Sequence, residues 1–177
     1  MKQTLQQSVF LCGFMGVGKS TVGKLLSEKL QVPFYDTDIL ISENAGATVA
    51  ELFALGEENF RMLESEEIQK FEFLPAGIVA LGGGALKDPM NLRAIQKNGV
   101  LVYLGAEPAT LHSRLADSTH RPLLEGHTGD ARLNKISRLL EERQIVYKSA
   151  DIFISTDGKS PEAVSTEIIQ ELKGREL

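Results

Sequence analysis

The sequence predicts an α/β fold, a parallel sheet with helices on both faces, on three observations. Five short apolar runs alternate with longer segments of helical period. None of the runs alternates apolar with polar residues, so each strand is expected to be covered on both faces. The first run leads directly into a glycine-rich stretch and then an amphipathic helix, the strand–loop–helix order of a parallel α/β unit.

Val9-Phe10-Leu11-Cys12 is the first run, and Gly13 to Ser20 is the glycine-rich stretch. Val22, Leu25, Leu26 and Leu30 then recur at helical spacing. Val32 to Tyr35 is the second strand, with Pro33 at its entry. Asp38 to Leu74 is long and reads as wholly helical between the second and third strands. Ile78-Val79-Ala80-Leu81 forms the third strand and Val100 to Leu104 the fourth. Ala116 to Asp130, with Pro122, Gly126 and Gly129, lacks helical period and reads as a mobile loop. Leu133, Ile136, Leu140 and Tyr147 mark a helix, Ile152-Phe153-Ile154 the fifth strand, and Val164, Ile168 and Leu172 the last helix.

A chain of 177 residues suits one domain, 1–177, with a full hydrophobic core. A net charge of -5 argues against a general nucleic-acid binder, and no apolar run approaches the ~20 residues of a membrane span. Met1 to Phe14 reads as the approach to a core strand and not as a signal peptide. The single cysteine, Cys12, has no partner for an internal disulfide; it reads as a buried hydrophobe of a cytoplasmic protein. His112, His120 and His127 have no metal-ligand spacing.

Gly13-Phe14-Met15-Gly16-Val17-Gly18-Lys19-Ser20 matches the phosphate-binding pattern G-x-x-x-x-G-K-[ST]. Glycines let backbone N–H groups curl round phosphate oxygens, and the following helix adds its positive N-terminus. Lys19 is placed for the β- and γ-phosphates of a nucleoside triphosphate, and the Ser20 hydroxyl for Mg²⁺. The shortness of the chain points to a small-molecule kinase. The second strand ends in Tyr35-Asp36-Thr37-Asp38, at the sheet edge where open α/β sheets bind ligands. One carboxylate there can hold a Mg²⁺-bound water and the other can accept a hydroxyl proton, or Asp38 can simply cap the next helix. Arg61 is either a ligand group or the exposed partner of Glu64 at i+3. Arg143 lies on the inward stripe of its helix and needs an anion, from a side chain or a ligand. Gly82-Gly83-Gly84 permits close backbone approach to a ligand, or makes a plain tight turn.

This set resembles the shikimate kinase family over nearly the whole chain. The motifs are Gly13 to Thr21, Asp36-Thr37-Asp38, Phe60-Arg61, Gly82-Gly83-Gly84, Arg121-Pro122-Leu123-Leu124, Arg143 with Tyr147, and Ser155-Thr156-Asp157 with Lys159 and Pro161. The resemblance implies a three-layer P-loop kinase fold with a five-stranded parallel sheet in the order 2-3-1-4-5. It implies a lid over about 116–130 and a shikimate-binding helical segment over about 38–74. It implies transfer of the γ-phosphoryl of ATP to the 3-hydroxyl of shikimate, with Mg²⁺. It makes Lys19, Asp38 and Arg121 catalytic, with Asp38 the candidate base, and puts Ser20 and Asp36 in the Mg²⁺ shell. Gly16, Val17, Gly18, Lys19, Ser20, Thr21, Arg114, Arg121 and Lys159 bind nucleotide, Arg114 against the adenine. Asp38, Arg61, Gly82, Gly83, Gly84 and Arg143 bind shikimate, the arginines on its carboxylate. A monomer with no nucleic-acid or membrane partner is expected. The competing readings are a kinase for gluconate or a nucleoside monophosphate, and a non-catalytic nucleotide-dependent regulator.

Overall fold

A computed structural model describes residues 5–116, 124 and 126–175. Five parallel strands form one sheet in the order β2-β3-β1-β4-β5: β1 Ser8–Gly13, β2 Phe34–Asp36, β3 Ile78–Ala80, β4 Gly99–Gly105 and β5 Ile152–Ser155. The helices are α1 Lys19–Leu30, α2 Thr37–Ala45, α3 Val49–Ala54, α4 Glu57–Gln69, α5 Pro89–Asn98, α6 Pro108–Arg114, α7 Gly129–Tyr147 and α8 Pro161–Lys173. Among the described residues no helix is long and apolar enough to cross a membrane.

The central strand shows why the apolar runs do not alternate. Val9 and Leu11 of β1 face one core layer, with Leu26 of α1, Ile136 of α7 and Ile168 of α8. Phe10 and Cys12 face a second layer, with Ile68 of α4, Ile95 of α5 and Tyr147 of α7. Burying one such large apolar side chain stabilises the fold by roughly 1.5–3 kcal/mol, so two-sided burial is worth a continuous apolar run. The edge strand β5 departs from this expectation. Its residues alternate buried and exposed, and Phe153 is exposed, as befits a strand with a neighbour on one side only among the described residues.

Two other expectations are corrected. The stretch from Asp38 to Leu74 is not one helical run. Gly46 ends α2 in the left-handed region (φ 64°), Thr48 and Glu51 form a capping box that restarts the chain as α3, and Gly56 (φ 127°) precedes α4. The second strand starts at Phe34 rather than Val32. Gln31 ends α1 in a left-handed conformation, and the Val32 N–H still donates to the Ser27 carbonyl. Of the expected loop 116–130, residues 117–123 and 125 lie outside the described residues; Leu124 is buried in the first core layer, and α7 already begins at Gly129.

Candidate active site

The carboxyl ends of β1, β2 and β3 meet at a cleft of about 370 Å³. Its first wall is the glycine-rich loop. Gly13, Gly16 and Gly18 have φ of 143°, 77° and 105°, a region that costs side-chain-bearing residues strain. A Cβ at Gly13 would also collide with the Leu104 carbonyl of β4. Lys19 Nζ lies across the loop and donates to the Gly13 carbonyl at 2.9 Å and the Phe14 carbonyl at 3.1 Å. Ser20 and Thr21 open α1 with exposed side chains, and Ser20 Oγ donates to Asp36 Oδ2 at 2.6 Å.

The β2–α2 corner resolves the alternatives left open for its two carboxylates. Asp36, not Asp38, caps α2: its Oδ1 accepts from the N–H groups of Asp38 (3.1 Å) and Ile39 (3.4 Å) while Oδ2 accepts from Ser20. Capping therefore does not account for Asp38, whose carboxylate lines the cleft. Thr37 between them is fully buried. Its hydroxyl accepts from the Gly82 N–H at 2.9 Å and donates to the Ala80 carbonyl at 3.4 Å.

Two of the three glycines after β3, Gly82 and Gly84, make room for charged side chains, and Gly83 lies in ordinary contact with a third. A Cβ on Gly82 would collide with Glu64 Oε1 and lie 2.8 Å from Asp38 Oδ1. One on Gly83 would lie 3.4 Å from Arg143 Nη1, and one on Gly84 would press on the Arg61 guanidinium. The glycines thus serve the side chains of the site itself as well as any ligand above them. Arg61 Nη1 donates to Glu64 Oε2 at 2.6 Å, and its Nε and Nη2 donate to Glu57 Oε1 at 3.3 and 3.2 Å. It also stacks over Phe53 and Phe60, 5.3 Å from each ring centre. The Arg61–Glu64 pair is not the exposed surface bridge that i+3 spacing allowed: Glu64 is 0% exposed. Burial pushes the Glu64 carboxyl above its ordinary range, Asp38 adds to the rise, and the Arg61 and Arg143 charges pull against it without cancelling it.

Arg143 is 3% exposed. Nη1 donates to the Gly83 carbonyl at 2.8 Å, and the guanidinium lies 5.3 Å from the Phe14 ring centre. Among the described residues its Nε and Nη2 are buried and meet no partner within hydrogen-bonding geometry, with the Tyr147 phenol the polar group beside them. A buried guanidinium with unmet donors beside a cleft has the chemistry to receive a planar anion, since leaving such donors unmet is costly.

On the far side of the glycine-rich loop, Arg114 of α6 donates to the Val17 carbonyl at 3.3 Å and to Thr156 Oγ1 and carbonyl, both at 2.9 Å. Arg114 therefore ties the loop to the segment after β5. Lys159 in that segment pairs with Glu167 of α8 at 2.6 Å and does not line the cleft. Arg121 lies outside the described residues. Sequence reasoning missed Val49 and Phe53 of the cleft, undervalued Glu64, and gave Met15 and Thr37 no role beyond their motifs. The position of Thr37 between two aspartates was the available signal for it. Among the described residues there is no cluster of three or more acidic, histidine or cysteine side chains placed to hold a metal.

Comparison with known proteins places this geometry. A family model described as shikimate kinase matches residues 15–173. A shikimate kinase of Caldanaerobacter subterraneus subsp. tengcongensis is 39% identical over 173 residues, covering 96% of this chain and 99% of the relative. One from Sulfurihydrogenibium sp. is 39% identical over 170 residues, at 96% and 99% coverage. Shikimate kinase from Acinetobacter baumannii, solved in complex with shikimate, superposes with a TM-score of 0.90 at 29% identity, covering 99% of this chain and 97% of that one.

Proposed function

The chain belongs to the shikimate kinase family, ATP-dependent phosphotransferases that phosphorylate a shikimate hydroxyl, and we propose how its own residues carry that reaction. The carrying observation is that one cleft holds a triphosphate-type loop on one wall and the idle donors of Arg143 on another. Gly16, Val17, Gly18, Lys19, Ser20 and Thr21 bind the ATP phosphates through loop N–H groups, the Lys19 ammonium and the N-terminus of α1. Lys19 exchanges its two loop carbonyls for phosphate oxygens. Arg114 and Lys159 border the adenine, with Arg114 preset by Thr156. Arg121 neutralises the transferring phosphoryl group.

Shikimate lies on Gly82, Gly83 and Gly84, with its carboxylate between Arg61 and Arg143. The two idle donors of Arg143 meet it most directly, and Arg61 joins by sharing its pairing with Glu64 and Glu57. Asp38 accepts the proton of the attacking 3-hydroxyl. The oxygens of Ser20 and Asp36, 2.6 Å apart, suit a Mg²⁺ that keeps most of its waters, with Asp36 held in place by its cap to α2. When bound, Mg²⁺ supplies charge neutralisation on the phosphate oxygens. One domain, 1–177, acting as a cytoplasmic monomer, completes the proposal; the single buried cysteine suits a reducing compartment.

The test is ADP release by the purified protein with ATP and Mg²⁺, with shikimate, with gluconate and with neither. We expect release that depends on shikimate. Release no faster with shikimate than without it would overturn the reading, and faster release with gluconate would redirect it.

A further inference from the structure

We propose that Thr37 is a positioning residue for phosphoryl transfer, setting the spacing between the Asp38 carboxylate and the glycine bed on which the acceptor sits. This rests on the function proposed above. The pairing of β2 with β3 ends at Asp36 opposite Ala80. Past that pair the two chains diverge, β2 into α2 and β3 into Gly82-Gly83-Gly84. The Thr37 hydroxyl bridges the divergence, accepting from the Gly82 N–H at 2.9 Å and donating to the Ala80 carbonyl at 3.4 Å. It therefore extends the ladder by one side chain beyond its last backbone pair.

The two ends of that bridge carry the chemistry. On the α2 side Thr37 is flanked by Asp36, which holds Ser20, and by Asp38. On the β3 side Gly82 lies against both Asp38 and Glu64, and the next carbonyl, Gly83, holds Arg143 at 2.8 Å. One buried hydroxyl thus links the base, the carboxylate receptor and the floor between them. Thr37 is fully buried, so its effect passes through Gly82 and Asp38. A surface-capping role would have served as well with an exposed hydroxyl. Valine would match its shape while orphaning the Gly82 N–H, itself buried.

The test compares the full-length wild type with Thr37→Val and Thr37→Ser. Small misplacements of reacting groups are amplified in rate, so Thr37→Val should raise the KM for shikimate about ten-fold and lower kcat about ten-fold or more. The KM for ATP should move by less than about two-fold, because the Thr37 hydroxyl bonds Gly82 and Ala80 and no residue of the glycine-rich loop. Thr37→Ser keeps the hydroxyl and should restore both shikimate parameters. A folded Thr37→Val with wild-type shikimate parameters would overturn the proposal, as would equal rises in both KM values. If Thr37→Val does not fold, Thr37→Ser decides: shikimate KM within about two-fold of wild type supports the role of the hydroxyl, and a ten-fold rise removes it. A wild type inert toward shikimate would instead defeat the proposed function.

Discussion

Arg61 and Arg143 look alike as sequence symbols, but their surroundings give them different consequences. All the donors seen on Arg61 are engaged by Glu57 and Glu64, and Glu64 is buried. Arg61→Ala strands that carboxylate, so we expect lower stability of the free protein as well as weaker shikimate binding. Among the described residues Arg143 pairs with no carboxylate, so Arg143→Ala should weaken shikimate binding by about 2–4 kcal/mol while costing less stability than Arg61→Ala. Calorimetric titration with shikimate and thermal melts of the ligand-free variants separate the two; equal stability losses would contradict the distinction. Asp38→Asn keeps shape and removes the acceptor charge, and should lower kcat by roughly 10²-fold or more with ATP binding retained. Near wild-type kcat would leave Asp38 a binding group only. Glu64 has a titration of its own. Burial raises its folded pKa above the ordinary value of 4.5, so the folded state favours the protonated form. Its contribution to stability is full below that value and declines as pH rises through the raised one. Relative to wild type, Glu64→Gln should therefore gain stability as pH increases from below 4.5 toward neutrality. Parallel melting-temperature curves for the two proteins across that range would sink the assignment.

At the scale of elements, two short connections organise the site. The β2–α2 corner satisfies the first N–H groups of α2 with one Asp36 oxygen and holds Ser20 with the other. The loop after β3 supplies a bed of glycines shaped by the carboxylates and guanidinium groups over it. Gly82→Ala should be tolerated by the backbone, whose φ is not in the left-handed region, yet its Cβ would displace Glu64 and Asp38. We expect the shikimate KM to rise about ten-fold with little change in the KM for ATP. Steady-state kinetics varying each substrate in turn checks this. A Gly82→Ala enzyme with an unchanged shikimate KM would show that the crowding is absorbed elsewhere. The capping box at Thr48 and Glu51 restarts the chain as α3 and so delivers Phe53 beneath Arg61.

Across the whole molecule, the sheet separates two core layers, and the second contains buried titratable groups. Burial pushes the Cys12 thiol from 9.0 to about 12, against a weaker pull from Lys19. Burial also takes the Tyr147 phenol from 10.0 to about 12, with the Arg143 charge opposing. Both groups keep their protons longer in the folded state, so stability is complete below the unfolded values and falls as pH climbs toward the folded ones. For Cys12 that alkaline loss is on the order of 4 kcal/mol across pH 9.0 to about 12. Cys12→Ala should melt lower at neutral pH because of its cavity, yet lose less stability over the alkaline range. Denaturant titrations at several alkaline pH values measure the slope, and an unchanged slope would mean that the thiol ionises without unfolding the protein.

Much of this was legible in local sequence. Five apolar runs, the helical periods between them and the glycine-rich motif specify a parallel sheet with a phosphate-binding loop, because each is set by neighbours a few residues apart. The same locality places the carboxylates and glycines at the carboxyl ends of β2 and β3. Other features depended on distant segments meeting. Spacing left open whether Asp38 does chemistry or simply caps α2, and it did not show that Asp36 is the cap. It left Arg61 open between a ligand group and an exposed partner of Glu64, whereas α4 turns that carboxylate into the buried floor of the cleft against Gly82. It gave no sign that the Thr37 hydroxyl would bridge to Gly82 or that Arg143 would keep two donors idle. Burial and hydrogen-bond satisfaction are properties of the assembled neighbourhood: the same arginine is a solvated ion pair on one surface and an anion receptor between three elements.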